Sequence, residues 1–214
     1  MNSNPDYRFV GVASADGSSI KYLEPLGDTP NDFKVDWSPS GQMVATFNKG
    51  VSGQTSRLFF VGQNDENFKA IDLQGYGVET KWVPDGQILL YSAHNGDTQH
   101  KPMLYIVDAV GANAGANHQS LGLNTWPDKC SFSGSNTLYC AVPKELPYGA
   151  DYAPAVADQT PDYIYKVDLT TGGKTFIAEP DVDYTIEQMV VSEDGSSLFF
   201  TDKATKAVHS IKLK

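Results

Sequence analysis

The sequence contains only two arginines, Arg8 and Arg57, among 214 residues, and its net charge at neutral pH is −10. A site that holds phosphate or carboxylate groups with several guanidinium groups is excluded by this count. Sialidase-type chemistry, which uses an arginine cluster, is excluded with it. The negative net charge also argues against a surface that binds polyanions, because phosphate binding needs clustered lysines and arginines. We therefore expect no nucleic-acid partner.

Long apolar runs and catalytic motifs are also missing. No stretch approaches the 18 apolar residues of a membrane-spanning helix, and the start, MNSNPDYRFVG, lacks both segments of a secretory signal. The mature region of a secreted protein, begun at a new Met, would lack these segments too. There is no Gly-x-Ser-x-Gly elbow, Walker loop or paired dinucleotide glycines. The four histidines lack metal-ligand spacing and are expected to be solvated at strand ends or in loops: His94, His100, His118 and His209. We predict no metal and no cofactor.

Glycine and proline are plentiful, with 19 and 12 copies, which favours many turns and a mostly β chain. Four segments align without gaps: VDWSPSGQMVATF from Val35, TKWVPDGQILLYS from Thr80, CSFSGSNTLYCAV from Cys130 and MVVSEDGSSLFFT from Met189. Their shared anchor positions are Trp37, Trp82, Phe132 and Val191. Four residues after each anchor stands a residue that tolerates positive φ: Gly41, Gly86, Asn136 or Gly195. The pattern predicts strand, tight turn, strand.

We predict that the turn is a three-residue loop whose last residue has a positive φ. A loop of this length fixes which residues of the two strands face each other. This register predicts five opposed pairs: Val35 with Ala45, Trp37 with Met43, Thr80 with Leu90, Cys130 with Cys140, and Met189 with Phe199. We expect each hairpin to be the innermost strand pair of its unit. The anchors Trp37, Trp82 and Phe132 should then be buried between units.

A second strand pair follows the first three hairpins, so the repeat is a blade of four antiparallel strands. Anchor spacings of 45, 50 and 59 residues suit a β-propeller better than a sandwich or barrel. We predict one propeller domain over residues 1–214, with blade hairpins starting near 35, 80, 130 and 189. Residues 1–30 would supply the outer strands of a shared blade that closes a four-bladed ring. A fragment of a larger ring, or a ring completed by another chain, stays open.

The segments DWSPSGQMVATF, KWVPDGQILLYS and VSEDGSSLFF resemble the TolB-like, WD-repeat-like propeller repeat over nearly the whole chain. The third blade, WPDKCSFSGSNTLYCAVPKELPYGA, is more similar to secreted or lipid-anchored envelope propellers of uncultivated bacterial lineages. The resemblance implies the fold and no particular activity, because such propellers serve as protein-binding modules, enzyme lids and surface proteins.

Cys130 and Cys140 face each other in the predicted register of the third hairpin. Their Cβ atoms would lie about 4.5–5.5 Å apart, from which a small adjustment reaches disulfide geometry. Two buried thiols in a reducing compartment are the alternative. We favour the disulfide, and with it a secreted, periplasmic or surface-attached location.

A 20-residue insertion, 143–162, separates the second and third strands of the third blade and is long enough to be functional. It should emerge on the same propeller face as the links between blades, which carry aromatic and acidic residues. The links include Asp28, Asp32, Glu79, Asp128 and Asp181. From both sets we predict these binding residues: Tyr76, Trp126, Tyr148, Asp151, Tyr152, Asp158, Asp183 and Tyr184. Simple packing of the rings between blades is the alternative.

These observations favour a non-catalytic binding or scaffold module that recognises a protein or glycan ligand at the bacterial cell envelope. One alternative is a glycan-active hydrolase using two carboxylates. Its candidate acids are Asp128, Asp151, Asp158, Asp181 and Asp183. The other is a self-associating structural subunit, suggested by the surplus strand and the uncertain closure of the ring.

Overall fold

The computed structural model describes residues 8–27, 33–51, 54–180 and 182–213, which form five antiparallel sheets. Asp28, Asp32 and Asp181, three of the predicted acids on the links, lie outside the described residues. The first sheet is a hairpin of β1 (Phe9–Val12) and β2 (Lys21–Pro25). Each later sheet begins at one of the four predicted hairpins, so the blades of a β-propeller are confirmed.

Three complete blades and one three-stranded blade follow the hairpin. Blade I comprises β3 (Phe33–Val35), β4 (Met43–Val51), β5 (Thr55–Gly62) and β6 (Ile71–Gln74). Blade II comprises β7 (Tyr76–Trp82), β8 (Ile88–His94), β9 (Met103–Asp108) and β10 (Gln119–Ser120). Blade III comprises β11 (Cys130–Ser133), β12 (Thr137–Pro143), β13 (Asp162–Asp168) and β14 (Lys174–Ala178). Blade IV comprises β15 (Ile186–Val191), β16 (Ser197–Asp202) and β17 (Val208–Lys212). Short 3₁₀ turns occupy Pro127–Lys129, Ala150–Tyr152 and Pro154–Gln159.

The predicted hairpin register is confirmed in blades I and III, where Val35 pairs with Ala45 and Cys130 with Cys140. Cys130 and Cys140 form the expected disulfide, with Cα atoms 4.1 Å apart. The predicted pairing of Trp37 with Met43 is wrong. The N–H of Asp36 still donates to the Val44 carbonyl in the predicted register, but beyond it the chain shifts by one residue and the Met43 carbonyl accepts from the backbone N–H of Ser38.

In blades II and IV the predicted register is wrong by one residue. Thr80 pairs with Tyr91 rather than Leu90, and Met189 pairs with Phe200 rather than Phe199. The cause is the turn, whose loop holds four residues and is closed by backbone bonds such as Val83 N–H to the Ile88 carbonyl.

Left-handed backbone occurs at three of the four predicted turn positions. Gly41, Gly86 and Gly195 have φ near +70°. Asn136 was the wrong choice in blade III, because Gly134 takes the left-handed position there with φ +66°. Glycine has no Cβ to clash in this region, so the three-residue loop uses it in preference to the asparagine.

Four apolar clusters lie between successive sheets, one at each of the junctions from the β1–β2 hairpin to blade IV. We call the face of a blade that packs on the preceding sheet its leading face, and the opposite face its trailing face. Since side chains alternate along a strand, every interior blade places apolar residues on both faces. Anchor residues lie on leading faces, where Trp82 packs 6.0 Å from the ring of Phe60 in blade I.

Burial of the anchors was predicted correctly for Trp82, which is 6% exposed, and Phe132 is partly buried between blades II and III. The prediction was wrong for Trp37, which is 50% exposed. The β1–β2 hairpin covers Val44 and Ala45 on the second strand of blade I. Phe33 on the innermost strand packs against the same cluster, whereas Trp37 follows the end of that strand and stays half exposed.

The terminal sheets of the described chain remain separate. The β1–β2 hairpin is one sheet and β15–β16–β17 is another, with no strand pairing between them in the residues described. Within the described residues the sheets form a run of consecutive propeller blades, and a blade shared by the two ends of the chain stays a prediction.

Candidate functional site

The insertion, residues 143–162, has internal structure. It contains the 3₁₀ turns Ala150–Tyr152 and Pro154–Gln159. Leu146, Ala150 and Ala157 form a small apolar cluster with Trp126, which precedes blade III. Burial of these side chains fixes the path of the loop over the propeller face.

The insertion is anchored across a blade boundary on blade II. The backbone N–H of Gly149 donates to the Gln99 carbonyl over 2.9 Å, and the N–H of Asp151 donates to the His100 carbonyl over 3.1 Å. Two backbone bonds of this kind give the loop of blade III a defined register on the loop of blade II.

Asp151 lies at the centre of this contact and is almost completely buried. Its Oδ1 accepts a hydrogen bond from Trp126 Nε1 over 2.8 Å, and its Oδ2 lies 2.5 Å from His94 Nδ1. Gly77 makes room for both groups, because a Cβ at that position would lie 2.5 Å from Asp151 Oδ2 and 2.7 Å from His94 Nδ1. Both carboxylate oxygens therefore have partners, as a buried charge requires.

Two tyrosines of the insertion project into solvent above this buried contact. Tyr148 is 72% exposed and Tyr152 is 66% exposed. His100 lies between them, with its Nδ1 3.0 Å from the Tyr152 hydroxyl and its ring centroid 5.4 Å from that of Tyr148. We call Tyr148, Tyr152 and His100 the tyrosine platform. His94 supports it from below, with its ring 4.7 Å from that of Tyr152.

The structure brings five of the eight predicted binding residues to this region. They are Tyr76, Trp126, Tyr148, Asp151 and Tyr152. Tyr76 joins them through its ring, 6.3 Å from that of His94, while its hydroxyl accepts a hydrogen bond from the Gln54 N–H.

The other three predicted residues lie apart from the tyrosine platform. Asp158 forms an ion pair with Lys203 of blade IV, at 2.5 Å. Asp183 forms an ion pair with Lys144 at 2.9 Å. Tyr184 packs on blade IV, as the alternative of simple packing described, with its ring 4.3 Å from that of His209.

Sequence reasoning missed two residues of the region, His94 and His100. The expectation that His94 is solvated was wrong, because it is buried against Asp151 and its ring packs on Tyr152. Its partner is 57 residues away, in a loop of the next blade. No local pattern could have indicated that contact; Gly77 in the strand is the one local sign of a close approach.

A cavity of about 430 Å³ opens beside the insertion, where the inner strands of blades II, III and IV meet. It is lined by Glu79, Trp126, Asp128, Lys129, Pro154, Ala155, Ala157, Asp158, Thr185, Ile186, Glu187, Gln188 and Lys203. We call it the inter-blade cavity. Lys129 contributes to one wall and is held by Asp162, whose two carboxylate oxygens lie 2.7 Å from its Nζ.

Glu79 and Asp128 are the lining acids without a hydrogen bond or close ion pair within the part of the chain described. Burial raises the pKa of Glu79, the charge of Asp128 raises it further, and Lys34 opposes the rise. Burial and a like charge both disfavour the ionised carboxyl. Ion pairs hold other lining acids, Asp158 with Lys203 and Glu187 with Lys206.

The acids proposed for paired-carboxylate chemistry are largely dispersed. Asp151 is buried and fully hydrogen-bonded, Asp183 lies outside the cavity, and Asp181 is not among the described residues. Asp128 and Asp158 alone of that set line the inter-blade cavity. No three His, Cys, Asp or Glu side chains are grouped to hold a metal ion in residues 8–27, 33–51, 54–180 and 182–213. Across the same ranges, no helix has the length and apolar character to cross a membrane.

Comparison with known proteins identifies the fold. No protein-family model matches the sequence, and no curated protein matches it. TolB from Acinetobacter baumannii superposes with a TM-score of 0.57 at 12% identity, over 98% of this chain and 50% of that protein. An oligogalacturonate lyase from Vibrio parahaemolyticus gives 0.54 at 15% identity, over 91% of this chain and 52% of the lyase. A puromycin hydrolase gives 0.57 at 15% identity, over 99% of this chain and 34% of the hydrolase.

These similarities show that the chain has a TolB-like propeller fold. The chain spans about half the length of TolB and of the lyase. At this level of identity the fold is shared by TolB, a lyase and a hydrolase, so the likeness carries no activity with it.

Proposed function

We propose that this chain is a non-catalytic binding module of the bacterial cell envelope that recognises a protein or glycan ligand through the tyrosine platform. The exposure of Tyr148 and Tyr152 on an ordered support carries the proposal. Tyrosine offers a large, rigid and amphipathic contact surface and is enriched at the energetic centres of interfaces. Both partner classes are compatible, because either a sugar ring or an apolar side chain can lie on a phenol face.

Preorganisation supports binding at this place. The backbone bonds from Gly149 and Asp151 to blade II, and the buried contact of Asp151 with His94, hold the loop before any ligand arrives. A loop that is already ordered does not lose conformational entropy on binding, so more of the contact energy appears as affinity.

An extracytoplasmic location is supported by the Cys130–Cys140 disulfide. Both cysteines are completely buried. Structural disulfides persist in oxidising compartments and are rare in a reducing cytosol. The disulfide therefore supports the proposal that the binding face lies outside the cytoplasm.

Array binding tests the proposal. The purified chain is applied to glycan and peptide arrays. For each ligand found, calorimetry measures the affinity of the wild type and of the double variant Tyr148→Ser/Tyr152→Ser. We expect the double variant to weaken binding by more than about tenfold, because hot-spot residues each contribute about 2 kcal/mol or more. Tyr22→Ser is the matched control, since Tyr22 is equally exposed on the distant β1–β2 hairpin. Equal binding by both variants would reject the tyrosine platform as the site.

A glycan-active hydrolase is the second candidate, favoured by the acids Glu79 and Asp128 in the inter-blade cavity. The pKa of Glu79 is raised, and a carboxyl with a raised pKa near a second acid is the arrangement that acid–base catalysis uses. Turnover of a glycoside panel that is lost in Asp128→Asn but kept in Glu193→Gln, an exposed acid on a turn, would establish this alternative. The binding-module proposal expects no turnover by either protein.

A further inference from the structure

A groove lies between the outer parts of blades II and III, where the insertion begins. Its volume of about 520 Å³ falls within the range of about 300–1,000 Å³ that is usual for small-ligand sites. One wall belongs to blade II and the link that leaves β10, and the other to β13 and the start of the insertion. Both walls come from complete four-stranded blades. We call it the outer groove. Its accessible polar and aromatic side chains are Lys101, Asn124, Lys144, Glu145, Tyr163 and Tyr165.

The outer groove opens beside the tyrosine platform on both of its walls. Lys101 directly follows His100 of the platform, so their Cα atoms are about 3.8 Å apart. On the other wall, Leu146 lines the groove and stands two residues before Tyr148, within about 7 Å along the chain. A linear ligand that lies on the platform can therefore continue into the groove.

Polar contacts hold both walls of the outer groove in place. The Lys174 ammonium of blade III donates to the Gly122 carbonyl in the link over 2.7 Å, which joins one wall to the other. Lys144 donates to the carboxylates of Glu179 and Asp183 over 2.6 and 2.9 Å. A groove that is already formed loses little conformational entropy when a ligand enters, so more of the contact energy appears as affinity.

The polar lining of the outer groove suits an uncharged ligand rich in hydroxyl groups. The charge of Lys144 is balanced by its two carboxylates, and the remaining charges are one cation, Lys101, and one anion, Glu145. The hydroxyls of Tyr163 and Tyr165 and the Lys101 ammonium are not buried, and they make no hydrogen bond to another residue in the part of the chain described. A sugar hydroxyl both donates and accepts, so it can pair with each of these groups.

The apolar side chains of the outer groove lie beneath this polar surface. Leu123, Val142 and Leu146 belong to the apolar clusters of the blade junction and the insertion, and all three are buried. A peptide that derives its affinity from apolar anchors needs pockets that such side chains leave open. Because the accessible surface is phenolic and polar instead, a sugar ring that lies on a phenol face fits it better than a peptide does.

We propose that the outer groove binds one part of a linear, neutral oligosaccharide whose other part lies on the tyrosine platform. Tyr163 and Tyr165 offer ring faces and hydroxyls to the sugar, and Lys101 and Glu145 offer a donor and an acceptor at opposite charge. This inference rests on the proposed binding function of the platform. It narrows the ligand from a protein or glycan to a glycan and adds a second contact surface.

Calorimetry with neutral oligosaccharides tests the proposal on the whole chain. The probes are oligomers of glucose, mannose, galactose and N-acetylglucosamine, each as a disaccharide and as a hexasaccharide. In at least one series the hexasaccharide should bind more than about tenfold more tightly than the disaccharide, because only the longer chain reaches both surfaces. The double variant Tyr163→Phe/Lys101→Met removes a hydroxyl and an ammonium but keeps the ring and the aliphatic chain. It should remove the advantage of the hexasaccharide and leave the affinity for the disaccharide unchanged.

Two further variants separate the groove from the platform. Tyr148→Ser/Tyr152→Ser should weaken binding of both lengths, whereas Tyr22→Phe/Lys49→Met, the matched control at exposed positions outside blades II and III, should change neither. If no oligosaccharide binds, or if the hexasaccharide keeps its advantage in Tyr163→Phe/Lys101→Met, the inference is overturned while the platform can still bind a protein. If the platform variant weakens no ligand, the proposed function itself is wrong. Circular dichroism confirms that each variant is folded.

Discussion

Trp82 and Trp37 occupy equivalent positions in the repeat. Replacing each by alanine should lower the free energy of unfolding by very different amounts. Trp82 is buried between blades I and II against Phe60, whereas Trp37 is half exposed. A buried tryptophan removes about 150–250 Å² from water, worth about 4–6 kcal/mol at about 25 cal/mol per Å². Because the cavity left by Trp82→Ala relaxes in part, we expect the free energy of unfolding to fall by about 3–5 kcal/mol. Trp37→Ala should cost less than about 1 kcal/mol.

Urea unfolding measures both losses, followed by far-ultraviolet circular dichroism because the substitution removes a fluorophore. The protein is kept dilute, so that association of copies does not add to the stability of the wild type. The slope of free energy against urea should be unchanged, which shows that the same surface is exposed on unfolding. Similar losses at Trp82 and Trp37 would refute the assignment of leading faces, as would a loss below about 1 kcal/mol at Trp82.

Three further predictions concern single interactions. Cys130→Ala/Cys140→Ala should lower stability by about 2–3 kcal/mol, since the closed loop is short, and the oxidised wild type should show no titratable thiol after unfolding without reductant. Asp128→Asn should lower the raised pKa of Glu79, which carboxyl NMR can measure. A group with a raised pKa in the folded state contributes stability that is lost as the pH rises through that pKa. The stability of Glu79→Gln relative to the wild type should therefore increase towards neutral pH. Asp151→Ala should increase proteolysis and hydrogen exchange in residues 145–160, because it leaves buried donors unpaired.

The sequence predicted those features that depend on local pattern. Four aligned hairpins placed every blade, and the opposed cysteines of the third hairpin set its register correctly. The register failed in blades II and IV because one further loop residue shifts all pairs, and glycine four residues after an anchor fits loops of three or four residues.

Contacts between blades could not be predicted in the same way. Trp37 and Trp82 have similar sequence surroundings, yet Trp82 packs against Phe60 of the preceding blade while Trp37 is half exposed. His94 and Asp151 meet because the insertion crosses from blade III to blade II, a path set by the small cluster around Trp126. Sequence pattern fixes which residues share a face, while the partner of that face is a property of the assembled blades.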